Sequence, residues 1–109
     1  MASDLFNTVV TDDGDVVILS GKPDYSIDVY QFNVQNLDTL VSVDITLKEG
    51  DGDDTTIIGP ITISPLGMLS LESASGAIFS LEKNKDLVLN SSGDTAASSL
   101  LVFGKRKYA

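Results

Sequence analysis

Hydrophobic and polar residues alternate most regularly over LVSVDITLK at 40–48, where Val41, Val43, Ile45 and Leu47 fall on one side of an extended chain and Ser42, Asp44, Thr46 and Lys48 on the other. A period of two is the signature of a strand with one buried and one wet face. Shorter runs of the same kind recur along the chain: LFNTVV at 5–10, DVVILS at 15–20, SIDVYQFNVQN at 26–36, IIGPITI at 57–63, GMLSL at 67–71, AIFSL at 77–81, DLVLN at 86–90 and SLLVFG at 99–104. No stretch repeats its apolar residues at the period of a helix. The gaps SPLG, ESASG, EKNKD and NSSGDTAAS are turn formers.

Details of the pattern refine the strands. In 26–36 the apolar positions run Ile27, Val29, then Tyr30, Phe32, Val34, a slip of one residue that predicts a bulge. Pro60 has no N–H for a ladder, which predicts an edge or a bend for 57–63. Asp13-Gly14 in TDDG predicts a tight hairpin between 5–10 and 15–20. Asn33 and Asn36 read as Asx-turn formers at a strand end. Short strands joined by polar turns predict one all-β domain over 1–104, an antiparallel sandwich or jelly roll of about eight to nine strands. Residues 105–109, KRKYA, read as a basic tail.

Composition narrows the chemistry. The 109 residues contain no cysteine and no histidine. That removes thiolate nucleophiles, Ser-His and Cys-His arrangements and the commonest transition-metal ligands. The carboxylates fall in turns or on polar strand faces, where they stay solvated and ionised and suit neither member of a catalytic pair. The expectation is a protein that is not an enzyme and needs no cofactor. Sixteen acids against seven bases give a net charge of −9, a field that repels nucleic acid. MASDLFNTVV has neither the basic start nor the apolar run of a secretory signal, and no window is apolar enough to span a membrane. The expectation is a soluble chain made in a cytoplasm.

Two clusters remain. KEGDGDDTT at 48–56 places Asp51, Asp53 and Asp54 in one loop, a candidate calcium site that Asp12, Asp13 and Asp15 join if the loops meet. An EF-hand count fails. With Asp51 as the first position, Thr56 stands where glycine is needed and Thr62 where the bidentate glutamate is needed. Turn chemistry explains Asp and Gly there without an ion. At the other end, Lys105, Arg106 and Lys107 with Tyr108 form a candidate interaction arm, basic in an otherwise acidic chain. Arg106 and Lys107 would pair acids on a neighbouring subunit, with Tyr108 as an anchor.

Three segments carry a resemblance: VYQFNVQNLDTLVSVDITLKEGD, IIGPITISPLGMLSL and IFSLEKNKDLVLNSSGDTAASSLLVFGKRKYA. Their order of strands and turns resembles that of small β-sandwich virion proteins of tailed bacteriophages, such as capsid decoration or cement proteins and related head proteins. The shared features are a strand ending at Asn, a clean alternating strand, the run Ile61, Ile63, Pro65, Gly67, and a lysine–x–x–aspartate hairpin before the last strands. The usual Lys-Gly-Asp turn is replaced here by Lys83-Asn84-Lys85-Asp86, and Asn is able to adopt the left-handed conformation that Gly would supply. The resemblance implies a passive structural role on the capsid surface of a virion, binding major capsid protein or another virion protein and bridging capsomers, as a homo-oligomer with a trimer favoured. It carries no binding residues over. The competing reading is a carbohydrate or cell-surface binding module, calcium-dependent or not.

Overall fold

The computed structural model describes residues 4–11, 14–50, 55–73, 75–92 and 99–108. Among them nine strands form two antiparallel sheets: β1 (Asp4–Val10), β2 (Gly14–Leu19), β3 (Ile27–Asn36), β4 (Val43–Gly50), β5 (Thr55–Ile63), β6 (Met68–Glu72), β7 (Phe79–Leu81), β8 (Asp86–Ser92) and β9 (Leu100–Tyr108). The first sheet runs β1-β9-β3-β6, with β7 also on β3; the second runs β2-β8-β4-β5. Of these nine, only β4 and β5 are consecutive strands that pair with each other, and most other connections cross between the sheets. This is the strand order of a jelly roll.

The alternation seen in the sequence builds the core. Val43, Ile45 and Leu47 of β4 point inward with Leu87 and Leu89 of β8, and meet Ile27, Val29, Phe32 and Val34 of β3 from the other sheet. Phe32 is fully buried, between Phe6 of β1 and Phe79 of β7, with ring centroids 6.2 and 6.3 Å away. Gly104 of β9 lies directly between Phe6 and Phe32 in register. A Cβ there would sit 2.0 Å from the Gln31 carbonyl oxygen and 2.9 Å from the Phe6 ring, so only glycine lets the two rings close over β9.

The bulge expected in 26–36 falls between Val29 and Gln31, where the β3–β9 register shifts. The Pro60 segment is an edge strand: β5 ends its sheet, carries a cis Gly59-Pro60 bond and shifts register against β4. Asn84 adopts φ 64°, the left-handed conformation expected of it.

Three expectations are corrected. TDDG does not close a hairpin, because β1 pairs β9 and β2 pairs β8, in opposite sheets. Likewise the lysine–x–x–aspartate segment joins β7 on β3 to β8 in the other sheet. Asp12 and Asp13 themselves lie outside the described residues; in both places burial of the flanking strands' apolar faces against one core selects a crossing between layers over local pairing. Finally, residues 105–108 are not a tail. They continue β9: Arg106 lies opposite both Asp4 of β1 and Val29 of β3, while Lys107 and Tyr108 pair with Asp28 and Ile27 of β3.

Candidate interaction surface

The strand alternation of β9 divides the candidate basic arm between two faces. Arg106 and Tyr108 lie opposite the buried Val29 and Ile27 and so share the inner side of the sheet, while Lys105 and Lys107 lie opposite Gln31 and Asp28 on the outer side. The Arg106 guanidinium sits 5.4 Å from the centroid of the Tyr108 ring, a cation–π contact, and Tyr108 packs on Tyr25 at 6.1 Å. The buried Arg106 Nε has no hydrogen-bond partner among the described residues. Half of the arm therefore seals one end of the core, and the four residues do not form one basic patch.

Asp51, Asp53 and Asp54 lie outside the described residues, as do Asp12 and Asp13. Asp15 is described. It accepts hydrogen bonds from Asn90 Nδ2 at 2.7 Å and Lys48 Nζ at 3.2 Å on the outer face of the second sheet. Those two partners, Asn90 first, hold its carboxyl below the usual aspartate range. Among the described residues no three acids are grouped to hold a metal ion.

A different region stands out. At the end of the sandwich where β3 turns into β4 and β5 into β6, four large apolar side chains face solvent: Leu37, Leu40, Leu66 and Met68, with exposures of 38, 85, 57 and 53%. The two connections are held against each other by backbone and side-chain hydrogen bonds. Leu66 N–H donates to the Asp38 carbonyl at 2.9 Å and Asn36 N–H to that of Gly67 at 2.9 Å. The side chain of Asn36 is fully buried. Its Nδ2 lies 2.8 Å from the Val41 carbonyl oxygen and 3.3 Å from those of Ile63 and Ser64, and its Oδ1 accepts from Asp38 N–H at 3.0 Å. Asp38 Oδ1 accepts in turn from the N–H groups of Leu40 and Val41, at 2.7 and 3.0 Å. The carboxylate of the 37–41 turn is thus turned onto the backbone.

Ser64-Pro65-Leu66-Gly67 closes with Gly67 N–H on the Ser64 carbonyl at 2.8 Å, with Pro at the second position and Leu66 at the third at φ 59°. This is a type II turn in which leucine occupies the place that ordinarily takes glycine. A left-handed leucine costs about 1–2 kcal/mol. Beside it, Ile61–Ser64 and Gly67–Leu69 line a shallow depression of about 210 Å³. That is below the ~300–1,000 Å³ of ordinary small-molecule sites.

In sequence SPLG reads as a turn-rich gap and Leu40 as the first residue of the alternating run 40–48, and neither gives a direct sign of this surface. The available signal is large aliphatic residues placed within turn sequences, Leu66 above all.

No protein-family model matches the sequence, and no curated protein matches it. Among solved structures, the chain is similar to the crystal structure of PirA, with a TM-score of 0.52 at 11% identity, over 96% of this chain and 93% of that one. A family two carbohydrate esterase from Cellvibrio japonicus aligns with 99% of this chain over 34% of its own length, at 8% identity and a TM-score of 0.35. The likeness to PirA is one of fold alone. The esterase alignment is too slight to extend it.

Proposed function

We propose that this protein is a non-enzymatic structural module of a virion, a capsid decoration protein that seats its Leu37–Leu40–Leu66–Met68 end on the outer surface of the major capsid protein and bridges neighbouring capsomers. The observation that carries the docking end is Leu66: a bulky apolar side chain, exposed, in a backbone conformation that disfavours it. Folding alone favours glycine there, and strain retained at an exposed position is characteristic of binding sites. The patch is apolar, held rigid by Asn36 and Asp38, and flanked by a depression too shallow for a small ligand. A rigid apolar surface of this kind suits another folded protein. The virion setting is supported by the sequence resemblance, which spans most of the chain.

The test is add-back to capsids that lack the protein. Wild type is expected to co-sediment with them and to raise their resistance to heat, unaffected by a calcium chelator. The Leu40→Asp/Leu66→Asp variant is expected to melt like wild type and to stay in the supernatant. Equal binding by the variant would sink the docking assignment. Failure of wild type to bind any capsid component would sink the virion reading, and chelator-dependent melting would favour the calcium-dependent module.

A further inference from the structure

Four lateral edges bound the two sheets: β1 and the β6/β7 pair in one, β2 and β5 in the other. A free edge offers a row of N–H and C=O groups to any other strand, and natural sheets blunt such edges with proline, bulges, charges or short strands. Three of the four are blunted here. β5 carries Gly59-Pro60 and shifts register twice. β2 shifts register against β8 and carries the exposed Asp15. The third edge is divided into β6 and the three-residue β7.

β1 has only one of these devices, the charge of Asp4 at its start. It pairs β9 in unbroken register from Asp4 opposite Arg106 to Val10 opposite Leu100, and its sequence DLFNTVV contains no proline, glycine or basic residue. Among the described residues nothing pairs with its other side. Phe6 and Val10 point into the core, so Leu5, Asn7 and Val9 share the outer face. Leu5 and Val9 are 76 and 56% exposed.

We infer that β1 pairs with β1 of a second copy of this chain, antiparallel about a twofold axis at Asn7, so that one sheet runs through both molecules. The strand is self-complementary in that register. Leu5 meets Val9 of the second copy and Val9 meets its Leu5, which covers both exposed apolar side chains with each other. The two Asn7 amides face across the axis, each with donors and an acceptor. Asp4, the only charge in the strand, faces Val10, and the two Asp4 side chains end about 20 Å apart at ~3.4 Å per residue. No like charges oppose at the contact. The strand itself supplies this match, and the inference stands apart from the virion reading because it is tested on the isolated protein.

Sedimentation of the purified chain is expected to give twice the monomer mass of 11.5 kDa across the micromolar range. Leu5→Lys/Val9→Lys is expected to halve that mass with no change in β-sheet circular dichroism. Because the chain has no cysteine, Asn7→Cys reports the register: mild oxidation is expected to convert it to a covalent dimer, while Val17→Cys, exposed on the opposite sheet, stays uncrosslinked. A monomeric or trimeric wild type, a dimer that survives the double lysine variant, or crosslinking of the Asn7→Cys variant no greater than that of Val17→Cys would each overturn the inference.

Discussion

Asn36 and Leu66 illustrate opposite uses of a single side chain. Asn36 is buried polar surface that is fully used: one amide gathers the end of β3, the 37–41 turn and the end of β5. Replacing it with alanine removes the side-chain donor from those carbonyls, of which Ser64 keeps the Gly67 N–H, and removes the acceptor of the Asp38 N–H. An orphaned buried polar group costs about 1–3 kcal/mol. Asn36→Ala is therefore expected to lower unfolding stability by about 2–3 kcal/mol in urea denaturation, and to increase amide exchange at Asp38. Its local role is legible in the sequence, since the Asn side chain commonly accepts a hydrogen bond from the backbone N–H two residues on. Its long-range role is not, because nothing local to Asn36 says that residues 63 and 64 will lie beside it. Leu66 works the other way. Leu66→Gly relieves the left-handed penalty and adds chain entropy to the unfolded state, a net gain of about 0.5–1 kcal/mol. The variant is expected to unfold at higher urea and to lose capsid retention. A loss of stability would show that Leu66 is held by packing and would remove the observation on which the docking end rests.

The strands themselves are largely legible because alternation is a local property that burial then enforces. Val43, Ile45 and Leu47 share one face in the sequence pattern and all lie in the core. Partner choice is not local. The Asp13-Gly14 and Lys83–Asp86 turns look like hairpins, yet each joins strands of opposite sheets, since either arrangement satisfies the turn and only the completed core distinguishes them. The basic cluster at 105–108 reads as a tail for the same reason. Its alternation is hidden by three consecutive cations, and its place between β1 and β3 depends on strands some 80 to 100 positions earlier. Two predictions belong to this scale. Gly104→Ala puts a methyl group within 2.0 Å of the Gln31 carbonyl oxygen, and overpacking of this severity is expected to cost about 3 kcal/mol or more, seen as a lowered melting temperature. On the outer face of β2, β8 and β4, the Asp15 carboxyl is held below its ordinary range by Asn90 and then Lys48. A depressed folded value means that its contribution to stability is present above the unfolded pKa and is lost as pH falls through the folded one. That contribution is small because the carboxylate is half exposed. In an NMR titration Asn90→Ala and Lys48→Met are each expected to raise the Asp15 midpoint, and equal midpoints in all three proteins would refute the assignment.

At the scale of the whole molecule, most of the paired polar and charged side chains and most of the exposed apolar ones lie on different surfaces. The outer face of the second sheet carries Asp15, Asp44, Thr46, Lys48, Thr62 and Asn90, several of them joined by hydrogen bonds. Most of the exposed apolar side chains lie elsewhere, on β1 and on the β3–β4 and β5–β6 end, with Val17 of β2 the exception on this face. A chain with net charge −9 repels its own copies, and this long-range term is screened over a Debye length of about 10 Å at 0.1 M salt. The two possible modes of self-association then respond to salt with opposite sign. An arm of Lys105, Arg106 and Lys107 clamped on a neighbour's acids would weaken as salt screens the attraction. The β1 pair contains no ion pair; salt removes only the repulsion between two acidic bodies, and apolar contact and backbone hydrogen bonds remain. The dimer is accordingly expected to tighten as sodium chloride rises from about 20 mM to physiological strength, and sedimentation equilibrium at a series of salt concentrations measures this directly. A dissociation constant that rises with salt would assign the contact to ion pairs and exclude the β1 edge as its main source.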